Sequence, residues 1–135
     1  MVCPKALIRQ YAAHSAEFNR LAEMFAVENE LVVVYADSGR CSTVERQTIE
    51  SGENKRCDEY VQLFRSLGVD WAYVDDTPVY LSVYSEGLLP GLRKGFVYAP
   101  AATVLNGVIQ TDTKYHGRSG VIYVPLGDGW YIFLD

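Results

Sequence analysis

The segment Val79-Tyr80-Leu81-Ser82-Val83-Tyr84 alternates aliphatic residues with polar or aromatic ones, and this alternation decides the fold. Side chains along a β-strand point alternately to opposite faces of the sheet. The segment therefore predicts a strand with one aliphatic face and one tyrosine face.

The same alternation recurs in four further segments of the second half of the chain. The residues predicted on the aliphatic face are Ala72, Val74, Val97, Ala99, Ile122, Val124, Trp130, Ile132 and Leu134, and those predicted on the opposite face are Trp71, Tyr73, Phe96, Tyr98, Val121, Tyr123, Tyr131 and Phe133. A sheet of this kind needs helices to bury its aliphatic face, and its aromatic face is left to be covered or to bind something.

Two segments of the first half have the spacing of amphipathic helices. Apolar residues at intervals of four and three predict a helix over residues 5–28; they are Leu7, Tyr11, His14, Phe18, Leu21 and Phe25. A similar pattern from about Glu53, with Gly68 where a C-terminal cap belongs, predicts a second helix. Between them, the apolar run from Leu31 to Tyr35 predicts a strand inside the sheet, buried on both faces.

Residues 38–54 and 103–119 receive no firm assignment. The polar segment 40–54 favours a short helix or a loop, although its β-branched residues would also suit a strand. Residues 104–109 fit either a strand or a helical turn, and residues 111–120 predict an exposed loop.

Together these elements predict an α+β fold with a single globular domain over residues 1–135. The expected architecture is a mostly antiparallel sheet of about five to six strands with two main helices packed on its aliphatic face. The core is expected to join residues of the helices to aliphatic residues of the strands: Leu7, Phe18, Leu21, Phe25, Val61 and Phe64 to Val74, Leu81, Val83 and Val97.

Composition and charge limit the classes of partner. The chain has 135 residues and a formal net charge of −5, which argues against binding a nucleic-acid backbone. Its longest apolar run is too short to span a bilayer, so no membrane partner is predicted. Cys3, Cys41 and Cys57 are an odd number without a C-x-x-C pair, and they predict reduced thiols in a cytoplasmic protein.

Few residues could carry chemistry. His14 lies on a helical stripe and is interpreted as structural, whereas His116, in the polar loop 111–118, is the better candidate for a functional histidine. The adjacent pair Arg93-Lys94 adds positive charge to the sheet half of the chain. The two histidines have no metal-ligand spacing, so we predict no metal, no cofactor and no catalytic residue, and we favour a protein that is not an enzyme.

The tyrosine face is the main functional signal, because tyrosine combines a large apolar area, little rotamer entropy and a hydroxyl group. We therefore expect a non-enzymatic interaction module that binds a protein partner, such as a basic target, or a second copy in a homodimer. The candidate binding residues are Tyr80, Tyr84, Tyr98, Tyr123, Tyr131, Arg93, Lys94 and His116. Two alternatives remain: a small-molecule-binding or hydrolytic domain using the 111–118 loop, and an aromatic face that only stabilises the sheet.

Overall fold

A computed structural model describes residues 5–75, 77–83, 94–101, 108–109 and 121–134, and within these the chain forms three helices and nine strands. The helices are α1 (Lys5–Ala13), α2 (Ser15–Val27) and α3 (Lys55–Ser66). The strands are β1 (Leu31–Tyr35), β2 (Arg40–Thr43), β3 (Thr48–Ile49), β4 (Val69–Tyr73), β5 (Val79–Val83), β6 (Lys94–Tyr98), β7 (Val108–Ile109), β8 (Ile122–Gly127) and β9 (Trp130–Leu134).

All the described strands belong to one sheet, in the order β3-β2-β1-β4-β5-β6-β9-β8-β7. Neighbouring strands are antiparallel except for β7 and β8, which run parallel. The predicted α+β class and the mostly antiparallel sheet are confirmed. The expected number of strands, five to six, is wrong because short strands form in both segments that the sequence leaves without an assignment.

The hairpin of β2 and β3 replaces the short helix or loop favoured for residues 40–54. Its turn is closed by Thr43, whose carbonyl oxygen accepts a hydrogen bond from the N–H of Arg46 at 2.9 Å. The Thr43 hydroxyl accepts another from the N–H of Gln47 at 3.1 Å. Arg46 has a left-handed φ of 64°. Turn geometry and pairing with β1 make this hairpin, and neither is visible as apolar alternation.

The helix predicted over residues 5–28 is instead two helices, α1 and α2, separated at His14. The described structure therefore has three helices where the sequence predicts two main ones. His14 leaves helical geometry with φ −123° and ψ 34°. His14 still bonds to both helices, since its N–H donates to the Gln10 carbonyl at 3.0 Å and its carbonyl accepts the N–H of Phe18 at 3.1 Å. The apolar stripe continues through the interruption: Leu7, Phe18, Leu21 and Phe25 are all buried. Periodicity therefore predicts the buried residues correctly and misses the break.

A buried carboxylate joins α2, α3 and β1. The Glu28 side chain, which is 0% exposed, accepts a hydrogen bond from the Tyr60 hydroxyl at 2.8 Å and lies 2.9 Å from Nε of Arg56. Its second oxygen accepts the N–H of Leu31 at 2.9 Å. Burial and the hydrogen bond to Glu28 raise the pKa of Tyr60. Glu28 thus ends α2 and orients the entry to β1 at the same time.

Helix α3 confirms the second predicted helix. Asn54 caps it, because its side-chain oxygen accepts the N–H of Cys57 at 3.0 Å. Gly68, just beyond the helix, has φ 70°, a conformation that glycine adopts without steric cost.

Cys57 in α3 is joined by a disulfide to Cys41 in β2. The expectation of reduced thiols is therefore wrong for this pair; Cys3 lies outside the described residues. The two cysteines are 16 residues apart in the sequence, and they meet because Cys41 points to the face of the sheet on which α3 packs. The argument for a cytoplasmic location from reduced thiols no longer holds, since disulfides persist mainly in oxidising compartments.

The helices pack against one face of the sheet, which we call the helix face. Phe18 of α2 is fully buried there, with its ring centroid 4.7 Å from that of Phe96 and 4.9 Å from that of Trp130. The remaining strand residues of this core include Leu31, Val34, Ala72, Val74, Val79, Leu81, Val124, Ile132 and Leu134. The predicted layer arrangement is confirmed for these strands.

Strand β6 has its faces exchanged relative to the prediction. Its Cα partners place Phe96 beside Leu81 and Ile132, which lie on the helix face, and Val97 beside Tyr80 and Tyr131, which do not. The expectation that Val97 joins the helix-face core is therefore wrong. Because Phe96 and Val97 are both apolar, neither residue alone decides which face of β6 meets the helices, and pairing with β5 and β9 decides it.

None of the described helices has both the length and the apolar character that crossing a bilayer would require.

We expect Phe18→Ala to lower the free energy of unfolding by about 3–5 kcal/mol, because it leaves a cavity between α2 and the centre of the sheet. Urea unfolding followed by circular dichroism measures this change. Val27→Ala is the matched control on the same helix, since Val27 is 73% exposed, and it should change stability by less than about 0.5 kcal/mol. Equal effects of the two substitutions would contradict the assigned layers.

Replacing Cys41 and Cys57 together by Ala should lower the free energy of unfolding by about 3 kcal/mol, the loop-closure entropy expected for a link across about 15 residues. The oxidised wild type and the double variant are compared by urea unfolding. Reductant should bring the wild type to the stability of the double variant and leave that variant unchanged. An unaltered wild-type midpoint in reductant would count against a stabilising disulfide.

Candidate functional site

The face of the sheet opposite the helices, here called the outer face, carries aromatic side chains over most of its width. They fall into two groups, of which the first is mostly packed and the second is exposed throughout. The first group, the tyrosine cluster, comprises Tyr80, Tyr123, Tyr131 and Phe133 of β5, β8 and β9. The second, the aromatic patch, comprises Tyr35, Trp71 and Tyr73 of β1 and β4. Each group has its own chemistry.

The tyrosine cluster is held together by its own contacts. The hydroxyl groups of Tyr80 and Tyr123 are hydrogen-bonded at 2.6 Å, although their strands are separated by β6 and β9. The rings of Tyr80 and Phe133 meet edge to face with centroids 5.4 Å apart. Tyr123 is 1% exposed and Phe133 is 4% exposed. Tyr123 and Phe133 form a small second core with Val97, whereas Tyr80 at its edge is 36% exposed.

Gly95 makes room for this cluster. A Cβ at this position would lie 2.9 Å from Cε1 of Phe133 and would also collide with the backbone carbonyl of Leu81. The missing side chain lets the Phe133 ring lie against the backbone of β6. The packing of the tyrosine cluster therefore depends on a glycine in the middle of the sheet.

The predicted binding residues are divided by this arrangement. Tyr80, Tyr123 and Tyr131 share the outer face, as the alternation predicts. The expectation that Tyr98 joins them is wrong, because Tyr98 lies on the helix face with its ring 5.0 Å from that of Trp130. Lys94 is the first residue of β6, where it is half-buried and pairs with Leu134. The remaining predicted residues, Tyr84, Arg93 and His116, lie outside the described residues, as does the 111–118 loop.

The aromatic patch is the more exposed of the two groups. Tyr35 is 42% exposed, Trp71 38% and Tyr73 55%. Tyr35 and Trp71 are directly paired across β1 and β4. The rings of Trp71 and Tyr73 meet edge to face, with centroids 5.5 Å apart and an interplanar angle of 82°. The three side chains therefore occupy neighbouring positions on one face of the paired strands β1 and β4.

A bulge in β4 directs the patch residues outward. The register of β4 against β5 shifts between Val69 and Trp71. Val69 and Ala72 are three positions apart, yet both are buried in the helix-face core. A regular strand would place them on opposite faces, so the inserted residue reconciles a buried Val69 with an outward Trp71.

Tyr35 is the patch residue that the sequence analysis missed. The apolar run of β1 predicts burial on both faces, and its position inside the sheet between β2 and β4 is confirmed. Val33 is indeed buried, but Tyr35 at the end of the strand is not. The available signal was a tyrosine that ends an aliphatic run beside the aspartate of a turn.

Three carboxylates lie within two positions of a patch residue in the sequence, Asp37, Asp70 and Asp75, and we call them the acidic rim. Asp70 precedes Trp71 in β4, and its backbone carbonyl accepts the N–H of Ala36 at 2.8 Å. Burial and the charge of Asp37 raise the pKa of Asp70. Asp37 and Asp70 therefore place two of the three rim carboxylates at the end of the patch where β1 leaves the sheet.

Metal binding finds no support among the residues that the structure describes, since no three of their His, Cys, Asp or Glu side chains are grouped to hold an ion. His14 is at the surface of the helical layer, with Nδ1 3.5 Å from a carboxylate oxygen of Glu17. This pair lies one turn apart on the start of α2 and belongs to the helix surface rather than to the outer face.

Comparisons of this chain with models of protein families, with curated proteins and with solved structures find no match. The function must therefore be argued from the surface itself.

Asp70→Asn should stabilise the protein at neutral pH. Because the pKa of Asp70 is raised in the folded state, its charged form costs stability above that pKa. This cost disappears as the pH falls, first through the pKa of Asp70 in the folded protein and then through its pKa in the unfolded chain. The advantage of the variant, measured by urea unfolding across this range, should therefore shrink toward acidic pH.

The matched control for this prediction is Asp75→Asn, at an exposed carboxylate of the same rim, for which we expect a smaller change at neutral pH. A loss of stability in Asp70→Asn at neutral pH would mean that the Asp70 carboxylate makes a favourable contact.

Proposed function

We propose that this protein is a non-enzymatic interaction module that binds a partner protein through the aromatic patch. The observation that carries the proposal is that three exposed aromatic side chains occupy neighbouring positions of β1 and β4, whereas most of the other described aromatic residues of the outer face are packed on one another and only Tyr80, at 36%, is comparably exposed. Contiguous exposed apolar surface with polar residues around it is typical of interaction sites.

The residue types suit this role. Tyrosine and tryptophan are enriched among the residues that dominate binding energy, because they bury a large area and lose little conformational entropy. Here the strands β1 and β4 fix their backbones, and the edge-to-face contact of Trp71 with Tyr73 restricts the two rings. A surface that is ordered before binding loses less entropy when the partner arrives.

Other exposed apolar residues do not form such a surface. Val27 is 73% exposed at the end of α2, and Val44 is 66% exposed in the β2–β3 turn. Each belongs to a different element, and scattered single residues of this kind are normal on protein surfaces. They serve as matched controls for the patch.

A different protein suits the patch better than a second copy of this chain. Each copy carries a net charge of −5, and the acidic rim borders the surface that both copies would bring together. In a twofold dimer the same surface is used by both subunits, so the two rims would approach each other and repel.

Site-specific photo-crosslinking in the cells that naturally express the protein tests this proposal. A photoreactive phenylalanine analogue at Tyr73 should give a discrete adduct with one partner, whereas the same analogue at Val27 should not. The partner is identified by mass spectrometry and then purified.

Trp71→Ser should weaken binding of the purified partner by about 2 kcal/mol or more, the threshold of an interface hot spot, which corresponds to roughly 30-fold in Kd. Isothermal titration calorimetry measures this loss. Val44→Ser should leave Kd unchanged, and both variants should keep the circular dichroism spectrum of the wild type. Equal adducts at Tyr73 and Val27, or a Kd that does not respond to Trp71→Ser, would contradict the proposal.

A further inference from the structure

The charges around the aromatic patch are unbalanced. Within two sequence positions of the patch residues there are three carboxylates, Asp37, Asp70 and Asp75, and no basic residue. The basic residues that the described structure places nearby are Arg40, the cross-strand partner of Tyr35, and Arg65, which lines the same cavity as Asp37 and Asp70. The acidic rim lies at both ends of the patch, since Asp37 and Asp70 lie where β1 ends and Asp75 lies beyond the other end of β4.

The two guanidinium groups already have partners. Nε of Arg40 is 2.9 Å from a carboxylate oxygen of Glu50. Nε of Arg65 donates a hydrogen bond to the carbonyl of Ala36 at 2.9 Å. Within the described part of the chain, no carboxylate of the acidic rim forms an ion pair. The rim therefore keeps its negative charge in the free protein.

The rings add to this preference. The face of an aromatic ring attracts a cation, and tryptophan and tyrosine do so more strongly than phenylalanine. A guanidinium group can stack on such a ring while its N–H groups bind a neighbouring carboxylate in two places. Trp71 and Tyr73, set almost perpendicular to each other, offer a ring face beside a ring edge, with carboxylates at both ends.

Building on the proposed function, we propose that the partner is a basic protein that inserts arginine side chains between the rings of the aromatic patch and the carboxylates of the acidic rim. The occupant of the patch is then defined by its chemistry: guanidinium groups on an exposed segment, stacked on Trp71 and Tyr73 and paired with Asp70 or Asp75. The acidic charge of the chain supports fast association with such a target.

The two tryptophans allow the local potential to be measured directly. Trp71 is 38% exposed and Trp130 is 1% exposed, so quenching by ions in solution reports on Trp71. Relative to free N-acetyltryptophanamide at the same ionic strength, caesium should quench the protein more effectively than iodide does. The double variant Asp37→Asn/Asp70→Asn should reduce that preference, and Trp71→Phe supplies the background from Trp130.

Binding is tested with a capped Arg-Gly-Arg-Gly-Arg peptide added to isotopically labelled protein and followed by amide chemical shifts. The matched control is the same peptide with citrulline in place of arginine, which keeps the shape and removes the charge. We expect a Kd at least about fivefold lower for the arginine peptide, with shifts concentrated on β1 and β4.

The double variant Asp70→Asn/Asp75→Asn should remove most of that difference while the protein stays folded. Equal binding of the two peptides, shifts away from β1 and β4, iodide quenching as effective as caesium quenching, or a dimer across the patch in sedimentation would each overturn the inference.

The two proposals fail separately. If the purified partner requires Trp71 but the arginine and citrulline peptides bind equally, the partner docks on the patch without inserted arginines, and only the inference on its chemistry is overturned. If neither the partner nor the peptides respond to Trp71→Ser, both proposals are wrong.

Discussion

The contact of Phe18 with the rings of Phe96 and Trp130 determines which face of the sheet meets the helices. Those two rings belong to β6 and β9, adjacent strands near the middle of the sheet. Once they point toward α2, alternation forces Val97, Tyr131 and Phe133 to the outer face. The two aromatic groups of that face follow from this choice. The rings over β8 and β9 pack on one another, and those over β1 and β4 stay accessible to a partner.

Elements whose own sequence carries a clear pattern could be predicted from that pattern. The buried residues of α2 follow from spacing alone, and α3 is delimited by a glycine that the sequence shows directly. The faces of β5, β8 and β9 follow from alternation, because only one set of alternate residues in each is aliphatic. The same rule fails in β6, where aromatic Phe96 faces the helices and aliphatic Val97 does not, because pairing with the neighbouring strands β5 and β9 chooses the face. The β2–β3 hairpin and its disulfide depend equally on distant partners, which a single sequence does not display.

The sequence predicts the type of candidate site, an aromatic sheet face, but not which part of that face is exposed. An aromatic outer face was expected, and Trp71 and Tyr73 were assigned to it by alternation. Exposure, however, depends on what covers each part of the face, and this is decided by tertiary packing. Tyr123 and Tyr131 share the face with the patch, yet the first is buried and the second is half-buried. The bulge at Asp70 adds a further displacement that periodicity does not reveal.

The bond between Cys41 and Cys57 makes the properties of the protein depend on the compartment in which it folds. A chain folded under reducing conditions has two buried thiols between β2 and α3, whereas a chain folded under oxidising conditions has a covalent link there. Strand β2 is hydrogen-bonded to β1, which carries Tyr35, so this link lies one strand from the aromatic patch. The reduced and the oxidised protein would therefore differ in how strongly the strands that carry the patch are restrained. Affinities measured on a reduced preparation would then describe a different molecule from the oxidised one.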